Sequence, residues 1–291
     1  MRQGSRTPTT RCAALLVALL TAVLATALAP GVALGASLEE IKKRGYMIVA
    51  TEDDYPPFEF IKDGKPIGLH HDLVALLKKW APFEIRQEIL PWQGLLAGVA
   101  TGKYDVAITA AVITEERAKT LTFTTPTADG THYYVKRAGD NRIKGIKDLA
   151  GLTVGVQQGS ALYAALPELD EMLKKTGGRL GKVVQYASYP EVYQELANGR
   201  LDYAINTIVT IASLVREKPT VFAMGEAVSK HSYHAWALKR GNNELRAYVN
   251  QFLAEQRKNG NLSKLQEKWL GKAFPDLPSV GMLPGDRPMP D

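Results

Sequence analysis

The stretch VATGKYDVAI (residues 99–108) recurs almost step for step as LANGRLDYAI (residues 196–205). Each reads as a helix end, a capping glycine, a basic residue, an aspartate and a short buried strand. A second matched pair lies upstream of these copies, at similar distances and in the same order. It consists of MIVATE (47–52) and TVGVQQ (153–158), each a buried-type strand running into a polar loop. Two matches in one order predict two α/β lobes of related plan.

The segments around this repeat support that plan. Ser37 and Glu40 form a capping-box pattern for a short helix ending at Gly45. Asp63-Gly64 marks a turn between two short apolar runs. Leu69, Leu73, Leu76, Leu77 and Trp80 recur at helical spacing, with Pro82 just beyond. Strands follow at 84–90 and 105–109 with a helix at 93–101 between them, and this alternation predicts parallel sheets flanked by helices. Open α/β sheets bind ligands beyond the carboxyl ends of their strands. Four such ends are marked here: Glu52 to Tyr55, Thr109 to Val112, Gln157 to Ser160, and Asn206 to Thr207. The β-rich runs 131–137 and 232–238 are expected to cross between the lobes. Lobe 1 is then 37–137 plus 233–275, lobe 2 is 138–232, and the Pro- and Gly-rich tail 276–291 is expected to be loosely packed.

The N-terminus decides the compartment. Arg2, Arg6 and Arg11 precede the apolar run CAALLVALLTAVLATALAP, and small residues close the segment at Ala36. This is the pattern of a cleavable signal peptide over 1–36. A membrane anchor is the alternative, because the run approaches spanning length. Pro30 and Gly31 favour cleavage near Gly35 or Ala36. Without those three arginines the net charge falls from +6 to about +3, so the pI of 9.2 gives little support to nucleic-acid binding. Cys12 is the only cysteine and leaves with the signal, which excludes disulfides and thiol chemistry in the remaining ~255 residues. It opens the apolar run instead of closing it, so a free periplasmic protein is expected and not a tethered lipoprotein.

YPPFEF (55–60), GLHHDL (68–73), GKYD (102–105), ITEER (113–117), DLAGLTVGVQQGS (148–160) and GRLD (199–202) together resemble the extracellular solute-binding proteins of the polar amino-acid type. They stand in the order of that family and span essentially all of the chain beyond the signal. The resemblance implies a type II periplasmic-binding-protein fold, with two lobes and two hinge strands. It also implies service to an ATP-driven importer: a membrane ABC permease as partner, a monomeric chain, an amino acid or small carboxylate as ligand, and no cofactor or metal.

Arg117 is the leading candidate for the ligand carboxylate, because a guanidinium presents a planar, permanently charged fork. The resemblance gives it the α-carboxylate. The bland alternative is a surface arginine paired with Glu115 or Glu116. Ser160 follows Gly159 and opens a predicted helix, so it is expected to grip the same anion from the opposite lobe or to serve as an ordinary N-cap. Thr109 and Ala110 in lobe 1, and Asn206 and Thr207 in lobe 2, are expected to line the cleft from their strand ends. Tyr55, stiffened by Pro56-Pro57, and Trp92, at a helix start, are candidate walls with core packing as their rival. Glu52 stands where the family often has Asp, and its carboxylate suits a cationic group.

One departure from the family bears on the ligand. Amino-acid binders of this type usually place Asp where this chain has Thr207, and a hydroxyl residue where it has Val112. Burying an ammonium without an anion is costly. Either Glu52 takes over that charge, or the ligand has no α-ammonium. The five histidines lack metal-ligand spacing and are expected to be structural or superficial. No Ser/His/Asp set, P-loop or dinucleotide fingerprint is present, so a non-enzyme is expected. A periplasmic dehydratase-like enzyme acting on a cyclic carboxylate through Glu52, and a soluble ligand-sensing subunit, remain as alternatives.

Overall fold

The computed structural model describes Met1 and residues 36–289; the segment read as an export signal lies almost wholly outside the described residues. Among the described residues no helix is long and apolar enough to cross a membrane.

Helix α1 (Leu38–Arg44) begins on the capping box. The Ser37 hydroxyl accepts from the Glu40 N–H at 3.2 Å, and the Glu40 carboxylate accepts from the Ser37 N–H at 2.7 Å. Gly45, with φ 80°, ends the helix in a left-handed conformation and turns the chain into β1 (Tyr46–Glu52). Strand β1 pairs in parallel with β5 (Glu84–Leu90) on one side and β6 (Val106–Val112) on the other. Strand β14 (Tyr233–Lys239) returns antiparallel to β6, and β7 (Leu121–Phe123) and β8 (Ala128–Asp129) pair with it further out.

The second sheet repeats this plan. Strand β10 (Val154–Gln157) lies between β11 (Val183–Tyr186) and β12 (Tyr203–Thr207), both parallel to it. Strand β9 (His132–Arg137) then runs antiparallel to β12 and to β13 (Phe222–Ala227). The orders β5-β1-β6-β14 and β11-β10-β12-β9 are therefore one pattern used twice.

The sequence repeat has a physical purpose. Asp105 accepts from the Ile48 N–H at 2.6 Å, and its own N–H donates to the Ile48 carbonyl at 2.9 Å. Asp202 does the same to Thr153, at 2.9 and 3.0 Å. In each lobe the aspartate after the Gly cap thus ties the third strand to the start of the first. Helix α2 (Leu69–Trp80) packs Leu69, Leu73, Val74 and Leu77 against the first sheet. Helix α8 (Asn243–Lys258) buries Leu245, Val249, Phe252 and Leu253, and its Phe252 ring stacks on Trp236 of β14. Each such side chain contributes about 1.5–3 kcal/mol by leaving water, so the lobe 1 core is completed only by the returning C-terminal part of the chain.

Two expectations are corrected. Residues 132–137 belong to the second sheet along their whole length, because β9 pairs with β12 from Thr207↔His132 to Tyr203↔Lys136. The first crossing is therefore the short segment between Asp129 and His132, and lobe 1 ends there instead of at 137. The tail is not loose either. Strands β15 (Met282–Leu283) and β16 (Arg287–Pro288) form a hairpin whose Asp286 accepts from the Tyr233 hydroxyl at 2.7 Å. Asp286 also contacts His231 Nδ1 at 2.9 Å, and Leu277, Met282, Leu283 and Met289 pack on a hydrophobic cluster of lobe 1.

Candidate functional site

The carboxyl ends of β1 and β6 face that of β10, and a small cavity lies between them. Its enclosed space is about 20 Å³, room for one water-sized body. Glu52 closes β1, fully inside the protein at 2 % exposure, and its Oε1 accepts from Gln157 Nε2 of β10 at 3.0 Å. Burial, with the nearby Glu59 as the next cause, pushes the Glu52 carboxyl well above its ordinary range.

Arg117 sits on the loop after β6. Its backbone N–H donates to Thr114 Oγ1 at 3.1 Å, which holds the turn that aims the side chain. One guanidinium nitrogen donates to the Val112 carbonyl at 2.8 Å, and the group lies 5.1 Å from the centre of the Trp92 ring. Among the described residues no carboxylate forms an ion pair with it, and Glu115 and Glu116 pair instead with Arg287 and Lys119. The surface-arginine alternative therefore does not describe this side chain. Burial lowers its pKa to about 10.

Tyr55 stacks on Tyr189 at 5.9 Å and forms the cavity wall with it. Tyr189 opens helix α6 (Tyr189–Ala197) and stacks in turn on Tyr193. Ser160 is the N-cap of the short helix α4 (Ala161–Ala164), and its hydroxyl accepts from the Tyr163 N–H at 3.0 Å. Trp92, Ala110 and Val112 complete the lobe 1 side. Glu52 and Arg117 are the only acid and the only base among the residues lining this cavity. A guanidinium and a buried carboxyl group that an arriving ammonium can draw into its ionised form suit a small zwitterion.

Three of the predicted residues are not brought into the cavity lining. The Thr109 hydroxyl is turned away to bond the buried Glu59 carboxylate, which also accepts from the Ala110 N–H at 3.2 Å. Asn206 is held between the two lobes: its Oδ1 accepts from the Tyr55 hydroxyl at 2.9 Å, and its Nδ2 donates to the Tyr193 hydroxyl at 2.6 Å. Thr207 is fully buried, with Oγ1 3.0 Å from His234 Nε2 and 3.2 Å from Thr210 Oγ1.

Sequence reasoning missed Glu59, Tyr189 and His234. Glu59 lies within YPPFEF and is completely buried beside His70, whose Nδ1 stands 2.6 Å from Glu59 Oε2. The signal available for it was a lone acid between two phenylalanines. Four histidines (His70, His71, His132 and His234) are buried, and burial lowers the pKa of each to about 3 or 4. Only His231 is superficial. Among the described residues no three His, Cys, Asp or Glu side chains gather as a metal site. A larger groove of about 520 Å³ runs beside α6, but its charged residues Glu217 and Lys218 are exposed and it contains no desolvated charge.

Comparison with known proteins agrees with the two-lobed fold. The sequence profile of the bacterial extracellular solute-binding proteins, family 3, matches residues 47–272. The L-cystine-binding protein TcyJ of Escherichia coli is 34% identical over 80% of this chain and 86% of its own. A putative ABC transporter arginine-binding protein of Escherichia coli is 28% identical over 77% of this chain and 90% of its own. Among solved structures, the ancestral amino acid-binding protein AncCDT-1, a precursor of cyclohexadienyl dehydratase, is 30% identical with a TM-score of 0.70. That likeness covers 80% of this chain and 99% of the ancestral one.

Proposed function

The chain belongs to the bacterial extracellular solute-binding proteins, family 3, and from that premise we propose that it captures a polar amino acid in the periplasm and delivers it to an ABC permease. The chain acts as a monomer and is exported by the cleavable segment that precedes Ser37. Arg117 receives the α-carboxylate, assisted from lobe 2 by Ser160, and Glu52 faces the cationic group. Tyr55, Tyr189 and Trp92 enclose the remainder of the ligand.

The observation that carries this reading is the state of Arg117. A part-buried guanidinium between two lobes, with no acid paired to it among the described residues, suits an anion that arrives from outside. Because the ligand touches both lobes only when they are shut, its binding energy favours the closed form. The relatives bind cystine and arginine by name, which supports a ligand among α-amino acids with long polar side chains. A thermal-shift series with L-cystine, L-arginine and L-glutamine tests this directly. At a hundredfold excess over Kd a true ligand stabilises the protein by about 2.7 kcal/mol. A flat melting temperature across all three and the other proteinogenic amino acids refutes the assignment.

A second reading has one observation in its favour. Glu52 is held toward its protonated form in the cleft, as a general acid must be, and AncCDT-1 is a precursor of a dehydratase. Incubation with cyclohexadienyl carboxylates, followed for aromatic product, separates the two. Binding alone predicts no product above the uncatalysed rate, and turnover that vanishes in Glu52→Gln would establish the enzyme.

A further inference from the structure

Thr207 and His234 meet across the boundary between the lobes, Thr207 at the end of β12 and His234 on β14. His234 Nδ1 lies 2.7 Å from the Ala110 carbonyl oxygen, which can only accept, so the ring proton sits on Nδ1. The ring is fully buried and contacts no carboxylate, which keeps it neutral. Its Nε2 is then an acceptor, and the hydrogen bond of 3.0 Å runs from the Thr207 hydroxyl to His234. The Thr207 proton is thereby committed to the opposite lobe, and Thr210 Oγ1 occupies a further side of the same oxygen.

The neighbouring acceptor is also taken. Asn206 Oδ1 receives both the Tyr55 hydroxyl at 2.9 Å and the Thr207 N–H at 2.7 Å. Val112 offers no polar atom on its side chain, so of all the groups around the cavity only Glu52 can meet an ammonium as an anion, once the arriving cation offsets the burial that keeps its proton on in the empty cavity. Ala110, whose carbonyl anchors the histidine, is itself held through its N–H by Glu59. A single buried run of hydrogen bonds therefore extends from Glu59 through Ala110 and His234 to Thr207, and it ends in the other lobe.

We propose that Thr207 and His234 form a latch that holds the two lobes shut, and that the ammonium of a bound α-amino acid is received by Glu52 and not by the residue at position 207. This rests on the amino-acid reading above and specifies how the site selects its ligand. Thr207 contributes equally to every ligand that the closed lobes can hold, and Glu52 distinguishes ligands that carry an ammonium from those that lack it. Adding an acid at 207 creates no new ammonium site. The carboxylate would face His234 Nε2 and draw a second proton onto the ring.

The test uses three pairs of probes, each an amino acid and its counterpart without the amino group. They are L-arginine with 5-guanidinopentanoate, L-glutamine with glutaramate, and L-cystine with 3,3′-dithiodipropionate. Affinities are measured by calorimetry on the wild type and on Glu52→Gln, Thr207→Val, Thr207→Ser and Thr207→Asp. Glu52→Gln is expected to shrink the preference for the amino acid at least tenfold. Thr207→Val is expected to weaken both members of a pair by the same factor, and Thr207→Ser, which keeps the hydroxyl, to restore them. Thr207→Asp is expected to leave the preference within twofold of wild type.

The proposal is overturned if Thr207→Val removes the preference or if Glu52→Gln leaves it intact. Should Glu52→Gln fail to fold, the Val, Ser and Asp variants at 207 still decide, since a preference that follows them places the ammonium there. If the wild type binds no amino acid of any kind, the functional reading itself has failed. If it binds members of each pair equally, Glu52 is not an ammonium receptor and only this proposal falls.

Discussion

Replacing Arg117 with methionine should raise the stability of the unliganded protein while removing its ability to bind. The guanidinium's pKa is lowered from 12.5 to about 10 by burial. At ~1.4 kcal/mol per pH unit this corresponds to a burden of about 3.5 kcal/mol on the charged form in the folded state. Two contacts offset it. The bond to the Val112 carbonyl contributes about 1.5 kcal/mol, and the position over Trp92 contributes about 0.5–1 kcal/mol. Methionine keeps most of the apolar stem and removes the charge together with both contacts. The net expectation is a gain of about 1–1.5 kcal/mol, read by urea denaturation without ligand. Ligand affinity should fall by about 2–5 kcal/mol, the range for removing one partner of a buried ion pair. Calorimetry with the amino acid that gives the largest thermal shift measures this. If Arg117→Met loses stability and keeps its affinity, Arg117 is a structural residue and the reasoning is refuted.

Other consequences follow from the buried charges and the repeat. Glu52 keeps its proton above pH 4.5 in the folded chain and loses it in the unfolded one, so the folded form binds more protons there and this group's contribution to stability falls as pH rises. The four buried histidines push the profile the opposite way below pH 6.5. The readout is therefore a difference: Glu52→Gln should gain on the wild type progressively as the pH rises above 4.5, and a constant gap contradicts the burial argument. Asp105→Ala and Asp202→Ala should each cost ~1–3 kcal/mol. They sit in different sheets and share no partner, so in the double variant the losses should add within about 0.5 kcal/mol, and a large coupling would show that the lobes do not carry independent copies of the clamp. Deleting residues 276–291 should lower the melting temperature by several degrees, since it uncovers Tyr233 and the cluster under Met282 and Leu283; an unchanged value would restore the expectation of a loose tail.

Much of the architecture was legible because it depends on local spacing. The Gly-basic-X-Asp repeat marked both third strands, and the capping box located the first helix to the residue. Glu52, Arg117 and Ser160 were legible as residues at strand and helix ends, where side chains must face the gap. What escaped depends on partners far apart in the chain. Thr109 and Thr207 sit at equally suggestive strand ends, yet Glu59 and His234 claim their hydroxyls, and no spacing links 59 to 109 or 207 to 234. The tail was misread for a related reason. Gly285 and Asp286 both adopt positive φ, 77° and 59°, so residues that suggest a loose end build a tight turn. The first crossing was misplaced because β9 reads equally well as a strand of either lobe, and only its pairing with β12 assigns it.

A crystal structure of the complex with whichever of L-cystine, L-arginine or L-glutamine stabilises the protein most puts the account to its plainest test. It should show the ligand carboxylate within hydrogen-bonding distance of the Arg117 guanidinium, between β6 and the start of α4, with its ammonium on Glu52. An amino acid bound elsewhere on the protein, or one in this cavity whose carboxylate avoids Arg117, would contradict it.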